Sequence, residues 1–232
     1  MTLPRASLAG VYVTGTDTGI GKTLASATLL HALRARGLRA VGMKPLASGC
    51  EHTAHGWRNE DALALQDASD PRPAYDDVNP YALPEPLAPE LAARDAGVAV
   101  SLAPILAAHA RLAATADVVV VEGVGGWAAP LASDIDQCSL ARALRLPVIL
   151  VVGMRLGCIS HARLAARAIV ADGLRLAGWI ASDVDPTMQR ADETFALLVP
   201  RLDAPCLGRL GHRTRPDPAA LAVELSVDAL LR

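Results

Sequence analysis

Val11-Tyr12-Val13-Thr14-Gly15-Thr16-Asp17-Thr18-Gly19-Ile20-Gly21-Lys22-Thr23 decides the architecture of this chain. A β-branched apolar run gives way to a glycine-bearing loop. The loop opens into a segment where Leu24, Ala27, Leu30 and Leu33 recur at helical spacing. Strand, loop and helix start in that order form the setting of a phosphate-binding loop. Glycines let backbone N–H groups turn inward as an anion nest, and the helix end adds its positive dipole. Lys22 can reach terminal phosphates, and Thr23 offers a hydroxyl to Mg²⁺. The usual pattern has a glycine five positions before that of Gly21-Lys22-Thr23; here Thr16 holds that place and Gly15 lies one residue further back. The expected ligand is a nucleoside triphosphate. Arg34 and Arg36 suit the C-terminal end of the helix, and Gly37 stops it.

Outward from this loop, short apolar runs alternate with helical spacing. Strands are expected over Gly10–Thr14, Ala40–Leu46, Asp117–Glu122, Leu146–Gly153, Ala177–Val184 and Ala204–Leu210. Helices are expected over Lys22–Arg36, Asn59–Ala68, Ser101–Ala114, Asp134–Leu144, Cys158–Ala171, Thr187–Val199 and Asp217–Leu230. Val118-Val119-Val120-Val121 and Val148-Ile149-Leu150-Val151-Val152 are apolar on both faces, as parallel strands covered by helices above and below must be. The fold class is therefore α/β: a doubly wound, mainly parallel sheet with helices on both faces, of the P-loop NTPase type. Residues 1–232 read as one nucleotide-binding catalytic domain, without a linker or internal repeat. The proline-dense stretch Asp70–Pro89 reads as a long irregular surface connection.

Composition narrows the function classes. Of the 232 residues, 52% are hydrophobic and 20% charged, which excludes disorder as the main state. A net charge of −2 offers no field for nucleic acid or an anionic membrane. The longest uncharged run, Ala96–Ala110, is broken by Gly97 and Pro104 and is too short to span a bilayer. Arg5 and the apolar stretch Ala6–Val13 run straight into the glycine-rich loop rather than a cleavage site, against a signal peptide. Cys50, Cys138, Cys158 and Cys206 form no CxxC pair and read as reduced thiols of a cytoplasmic protein.

Three further motifs bear on chemistry. Val41-Gly42-Met43-Lys44 carries a lysine to the C-terminal edge of a parallel strand, where ligands bind; the alternative is a solvated lysine. Val118-Val119-Val120-Val121-Glu122-Gly123-Val124-Gly125-Gly126 delivers a carboxylate toward the nucleotide's metal, or else a solvated glutamate in a glycine turn. Leu156-Gly157-Cys158-Ile159-Ser160-His161 opens a helix whose free N–H groups suit an anion, water or a cap, and Cys158 reads as a small buried or capping residue. Asp61, Asp134 and Asp136 look like first-turn or capping carboxylates, and His52 and His55 like exposed loop residues.

With these motifs in place, the chain resembles the dethiobiotin synthetase family over nearly its whole length. The resemblance is carried by Thr14–Thr18 with Gly21-Lys22-Thr23, by Lys44-Pro45-Leu46-Ala47-Ser48-Gly49 and by Arg58-Asn59-Glu60-Asp61-Ala62-Leu63. Val78-Asn79-Pro80-Tyr81, Val121–Trp127 and Pro147–Gly153 running on to Ile159 complete it. It implies an ATP-dependent ligase of biotin biosynthesis acting on 7,8-diaminononanoate, CO₂ and ATP with Mg²⁺, in a cytoplasmic homodimer. It implies Lys22 and Lys44 as catalytic cations and Thr23, Asp61 and Glu122 around the metal. Substrate contacts fall to Thr18 and Ser48, and to Gly157, Cys158, Ile159 and Ser160 across the subunit interface. ATP contacts fall to Gly19, Ile20, Gly21, Lys22, Thr23, Leu24, Asp61, Glu122, Gly123, Val124, Gly125, Ser182, Asp183, Leu210, Gly211 and His212. Asp61 owes its role to the resemblance alone.

Two rivals share the nucleotide-binding fold. A regulatory or partitioning ATPase acting as a protein-binding switch carries an extra lysine early in the loop, and Gly15–Ile20 has none. A glutamine-dependent amidation enzyme needs a further glutaminase domain, for which 232 residues leave no room.

Overall fold

The computed structural model describes residues 8–231; Arg5 and Ala6 of the N-terminal apolar stretch lie outside them. Six parallel strands form the central sheet: β1 Gly10–Gly15, β2 Ala40–Met43, β3 Val118–Gly126, β4 Val148–Gly153, β5 Leu176–Ser182 and β6 Cys206–Leu210. Their order across the sheet is β6-β5-β4-β1-β3-β2. Every strand predicted from the sequence is present.

Alternation along the strands divides the core in two. Val11, Val13, Val118, Val120, Ile149 and Val151 point to one face, under the helices Lys22–Arg34 and Glu60–Ala68 and the C-terminal residues Leu221 and Leu225. Tyr12, Val119, Val121, Leu150 and Val152 point to the other, packed against the helices Leu102–Thr115, Gln137–Leu144 and Cys158–Ala171. Because β1 lies between β3 and β4, the chain crosses beside it. The loops leaving the C-terminal ends of these strands thus open onto one crevice, the ligand-binding edge of a doubly wound sheet.

Five stretches depart from expectation. The strand expected over Ala40–Leu46 ends at Met43, and Leu46–Ser48 forms a separate short strand paired in parallel with Tyr81–Leu83. The stretch Asp70–Pro89 is not an irregular surface connection. It holds the short helix Tyr75–Val78 and the strand Tyr81–Leu83, and Tyr75, Val78, Asn79 and Leu83 are buried; Pro89 then begins the helix Pro89–Asp95. Of the six prolines only Pro89 stands in a first helical turn, a position proline suits; the others lie between the elements.

The helix expected over Asp217–Leu230 is only Pro218–Leu221 with one 3₁₀ turn, Ala222–Glu224. Beyond it Leu225 bridges antiparallel to Gly208 and Ser226 N donates to Leu207 O at 2.7 Å, so the backbone covers the exposed edge of β6 instead of coiling. The helices expected to begin at Thr187 and Asp134 begin at Ala191 and Gln137. Asp136 is the N-cap of the latter, in a capping box with Ser139.

Candidate active site

The loop between β1 and the helix Lys22–Arg34 needs glycine at two points. Gly19 (φ +69°) and Gly21 (φ +79°) are left-handed, and Gly21 is the helix N-cap. The loop is held from both sides. Gly153 N at the end of β4 donates to Thr16 Oγ1 at 3.2 Å. A Cβ on Gly153 would lie 2.6 Å from Ile20 Cγ2, and one on Gly21 would lie 2.5 Å from Ser182 Oγ. Asp17 ties its Oδ1 to Thr18 N at 2.7 Å, pairs its carboxylate with Arg155, and accepts Lys22 Nζ on its carbonyl at 2.7 Å. Its carboxyl is held below the usual range, chiefly by the Thr18 N–H.

Lys22 is buried, and that burial together with the nearby Lys44 cation pulls its pKa down to about 8. Lys44, just past the end of β2, is the hub of the site. Its Nζ donates to Asp61 Oδ2 at 2.8 Å and to Glu122 Oε1 at 2.5 Å, and its side chain is only 4% exposed. Burial acts to lower the Lys44 pKa, but Glu122 and Asp61 outweigh it and hold the ammonium above its ordinary value. Burial likewise acts to raise Asp61, and Lys44 overrides it, so its carboxyl stays low.

Thr23 Oγ1 donates to Glu122 Oε1 at 2.9 Å, which closes the group Lys44, Asp61, Glu122 and Thr23. Glu122 is fully buried and its Oε2 has no partner. A solvated Lys44 and a solvated Glu122 are both excluded. Asp61 reaches the site because Asn59 Oδ1 caps its helix, accepting Asp61 N at 3.0 Å and Ala62 N at 3.2 Å.

The Gly123–Gly125 segment of β3 after Glu122 is clamped by buried Gln137, which accepts from Tyr12 Oη and donates to Val124 O. Thr18 Oγ1 lies 3.7 Å from where a Cβ on Gly125 would stand, so the segment backs the loop. Burial, with Asp136 and Glu122 adding to it, pushes the Tyr12 phenol far up, so it remains a neutral donor. Ser48 is half-buried, and its carbonyl accepts Asn59 Nδ2 at 3.4 Å.

The other sequence-predicted residues lie outside this hydrogen-bonded group. Leu24 is half-buried behind Thr23. Gly157 (φ +95°) is the N-cap of the helix Cys158–Ala171; Cys158 is buried in the core, Ile159 half-buried and Ser160 exposed. With Arg155, Leu156 and Arg163, these residues line a cavity of about 470 Å³. Ser182 is buried against the loop. Asp183 is not free: Arg209 Nε donates to both its carboxylate oxygens at 3.0 Å. Leu210 buries its side chain in the core, and its carbonyl accepts Asp183 N at 2.9 Å. Gly211 follows at the crevice rim, and His212 is exposed.

Sequence reading missed Arg155, Gln137 and Arg209, because each has a partner distant in the chain: Asp17, Tyr12 and Asp183 respectively. The signal for Gln137 was an amide in an otherwise apolar helix face. His52 and His55 are exposed, as expected.

A family model described as an AAA domain matches residues 9–218. Among solved structures, the cell division protein FtsY of Thermotoga maritima matches at 19% identity, TM-score 0.52, covering 99% of this chain and 70% of that one. The MinC:MinD cell division complex of Aquifex aeolicus matches at 12% identity, TM-score 0.51, with 88% and 82% covered. At such identities these likenesses show the P-loop fold alone. Curated relatives go further. The ATP-dependent dethiobiotin synthetase of Xanthomonas euvesicatoria pv. vesicatoria is 67% identical over 211 residues, 91% of this chain and 94% of the relative. That of Xylella fastidiosa is 63% identical over 220 residues, 94% and 97%. With the loop, the two lysines and the buried carboxylate already in one crevice, these identities establish that the chain belongs to the ATP-dependent dethiobiotin synthetase family.

Proposed function

We propose that this chain, acting as one catalytic domain over residues 1–232, closes a ureido ring at the expense of ATP. One amine of 7,8-diaminononanoate adds to CO₂ and loses a proton, giving a carbamate. A carbamate oxygen attacks the γ-phosphorus of ATP and ADP leaves. The second amine then attacks the carbonyl carbon of the carbamic-phosphoric anhydride and phosphate leaves, giving dethiobiotin. The substrate supplies both nucleophiles, so the protein needs none. Its work is positioning, worth about 7–11 kcal/mol for well-oriented groups, and charge stabilisation.

The observation that carries this reading is Lys44, a buried ammonium held between two carboxylates at the mouth of the phosphate loop. In its role here it faces the carbamate and the transferring phosphoryl group, with Lys22 on the terminal phosphates. The loop amides from Gly19 to Leu24 cradle the phosphates, and Gly123–Gly125 closes over them beside Thr18. Thr18 and Ser48 contact the diamine. Ser182, Asp183, Leu210, Gly211 and His212 border the base, with Asp183 fixed by Arg209.

Mg²⁺ fits the donors present. Glu122 Oε2 is buried without a partner, and Thr23 and Asp61 add hard oxygen atoms beside it. Among the described residues no cluster of three or more His, Cys, Asp or Glu side chains could hold a metal by itself. Such a site suits an ion that takes one or two carboxylates together with substrate phosphates and water. When bound, the ion offsets the charge shared by the β- and γ-phosphate oxygens.

The same reading makes the active form a homodimer. Leu156, 95% exposed, stands beside Gly157, and Leu164 and Val170 are 60% and 61% exposed on the helix that follows. Exposed apolar side chains of this kind suit a second copy that would present Gly157 to Ser160 to the substrate carboxylate. Among the described residues no helix is long and apolar enough to cross a membrane. A cytoplasmic location belongs to this proposal, and the four free thiols accord with it.

The test is phosphate release from ATP, Mg²⁺ and bicarbonate with and without 7,8-diaminononanoate, with mass detection of the product. Diamine-dependent release with the ring-closed product is expected. Hydrolysis indifferent to the diamine would leave a nucleotide-binding protein of another function.

A further inference from the structure

The backbone beneath Lys44 is held by a buried polar network in the stretch that looked irregular in the sequence. Asn79 Nδ2 donates to Lys44 O at 2.7 Å and to Tyr81 O at 3.2 Å, and Lys44 N donates to Val78 O at 2.8 Å. Both peptide groups of Lys44 are thus fixed by the segment Val78–Asn79. Tyr75 Oη donates to Asn79 Oδ1 at 3.2 Å and accepts Asn59 N at 2.8 Å. Asn59 in turn caps the helix that carries Asp61 and donates to Ser48 O at 3.4 Å. Tyr75, Asn59 and Asn79 are 8%, 6% and 4% exposed, so water does not substitute for these bonds.

We infer that Tyr75 and Asn79 are positioning residues of the reaction: through one hydroxyl and one amide they set Lys44, Asp61 and Ser48 in a common frame. No element of the phosphate loop takes part in this network. The nucleotide side is thus braced by the loop with β4 and β5 and the carbamate side by Tyr75 and Asn79, the two meeting at Glu122, which accepts from both Thr23 and Lys44.

The polar contacts show why a hydroxyl is used. Tyr75 Oη both accepts and donates, joining the N–H of the cap of the Asp61 helix to the Asn79 amide that holds the Lys44 carbonyl. A phenylalanine keeps the ring, over which the Arg58 guanidinium sits at 4.0 Å, and loses only the link. The inference rests on the placement of Lys44 at the transferring group, and the test separates the two.

Purified Tyr75→Phe and Asn79→Ala would be measured for ATP affinity by direct binding, for kcat and KM at saturating partners, and for thermal midpoint, with Lys44→Ala in parallel. The expected result for Tyr75→Phe is kcat lowered about 10-fold or more, approaching the roughly 100-fold that an ångström of misplacement costs, with ATP affinity within about twofold of wild type. Asn79→Ala should lose at least as much, and Asn79→Asp, which keeps the acceptor for Tyr75 but not the donor to Lys44 O, should not restore it. A folded Tyr75→Phe with wild-type kcat, or one in which ATP affinity falls in step with kcat, overturns the inference. If Lys44→Ala itself turns over normally, it is the placement of Lys44 that fails.

Discussion

Lys44 Nζ and Glu122 Oε1 meet at 2.5 Å with both side chains withdrawn from solvent, each one residue past the paired Met43 of β2 and Val121 of β3. Two charges cost several kcal/mol each to bury, and this pair is sustained by further bonds to Asp61 and Thr23. So dry a cation beside the phosphate loop is what supports the proposed role of Lys44 in meeting charge that develops during transfer.

Lys44→Ala should therefore do two things. Turnover should fall by orders of magnitude while ATP binding persists, because the loop is held mainly by Gly153 and Ser182 at the ends of β4 and β5. Stability should also fall by about 3–5 kcal/mol, since Glu122 is left as a buried charge without its main partner. Urea unfolding of the single variant and of Lys44→Ala/Glu122→Ala checks this: the second substitution should recover part of the loss. Additive losses would mean that the two residues do not interact.

Lys22, lowered to about 8 by burial and the Lys44 charge, should set a basic limb. In kcat/KM for ATP, which reports the free enzyme, activity should decline as pH rises through about 8. In kcat the limb should move upward, because bound phosphates favour the ammonium. The stability effect has the opposite sense. A lysine depressed from its ordinary 10.5 disfavours the folded state while it is charged, so its contribution improves as pH rises from about 8 toward 10.5. pH profiles of both kinetic constants, compared with Lys22→Arg, test the assignment.

Glu122→Gln keeps the shape of the side chain and removes its charge. The Mg²⁺ concentration for half-maximal activity should rise about tenfold or more, the scale of losing a charged ligand interaction worth ~1.4 kcal/mol or greater. A Mg²⁺ titration superimposable on wild type would take Glu122 out of the metal site.

Gly153→Ala places a methyl group 2.6 Å from Ile20 Cγ2 and 2.8 Å from Ile20 Cβ, atoms that cannot swing aside without moving the loop. Overpacking of this kind costs about 1–3 kcal/mol. ATP affinity should fall along with stability, read by nucleotide titration and thermal midpoint. Gly173→Ala, a helix-end glycine with open space around its Cβ position, is the comparison: it should lower stability through its positive φ and leave ATP affinity unchanged.

The sequence by itself determined what is written locally. Val11 to Thr23 is a contiguous strand, loop and helix start, and both Val118–Val121 and Val148–Val152 must be covered on two faces, so the P-loop architecture and the candidacy of Lys22, Lys44 and Glu122 could be read directly. Tertiary structure alone decided which charges meet. Asp61 looks like any first-turn carboxylate until the capped helix brings its Oδ2 within 2.8 Å of Lys44 Nζ. Tyr75 and Asn79 lie in a proline-dense run without hydrophobic period, and acquire meaning only when their side chains find the Lys44 and Asn59 backbones. The C-terminal segment carries a helical pattern, yet Leu225 and Ser226 pair with the edge of β6, because a free strand edge offers hydrogen bonds that a short isolated helix cannot match. Periodicity and loop chemistry act between neighbours in sequence. Buried charge pairs and polar networks act between neighbours in space, and only folding sets those distances.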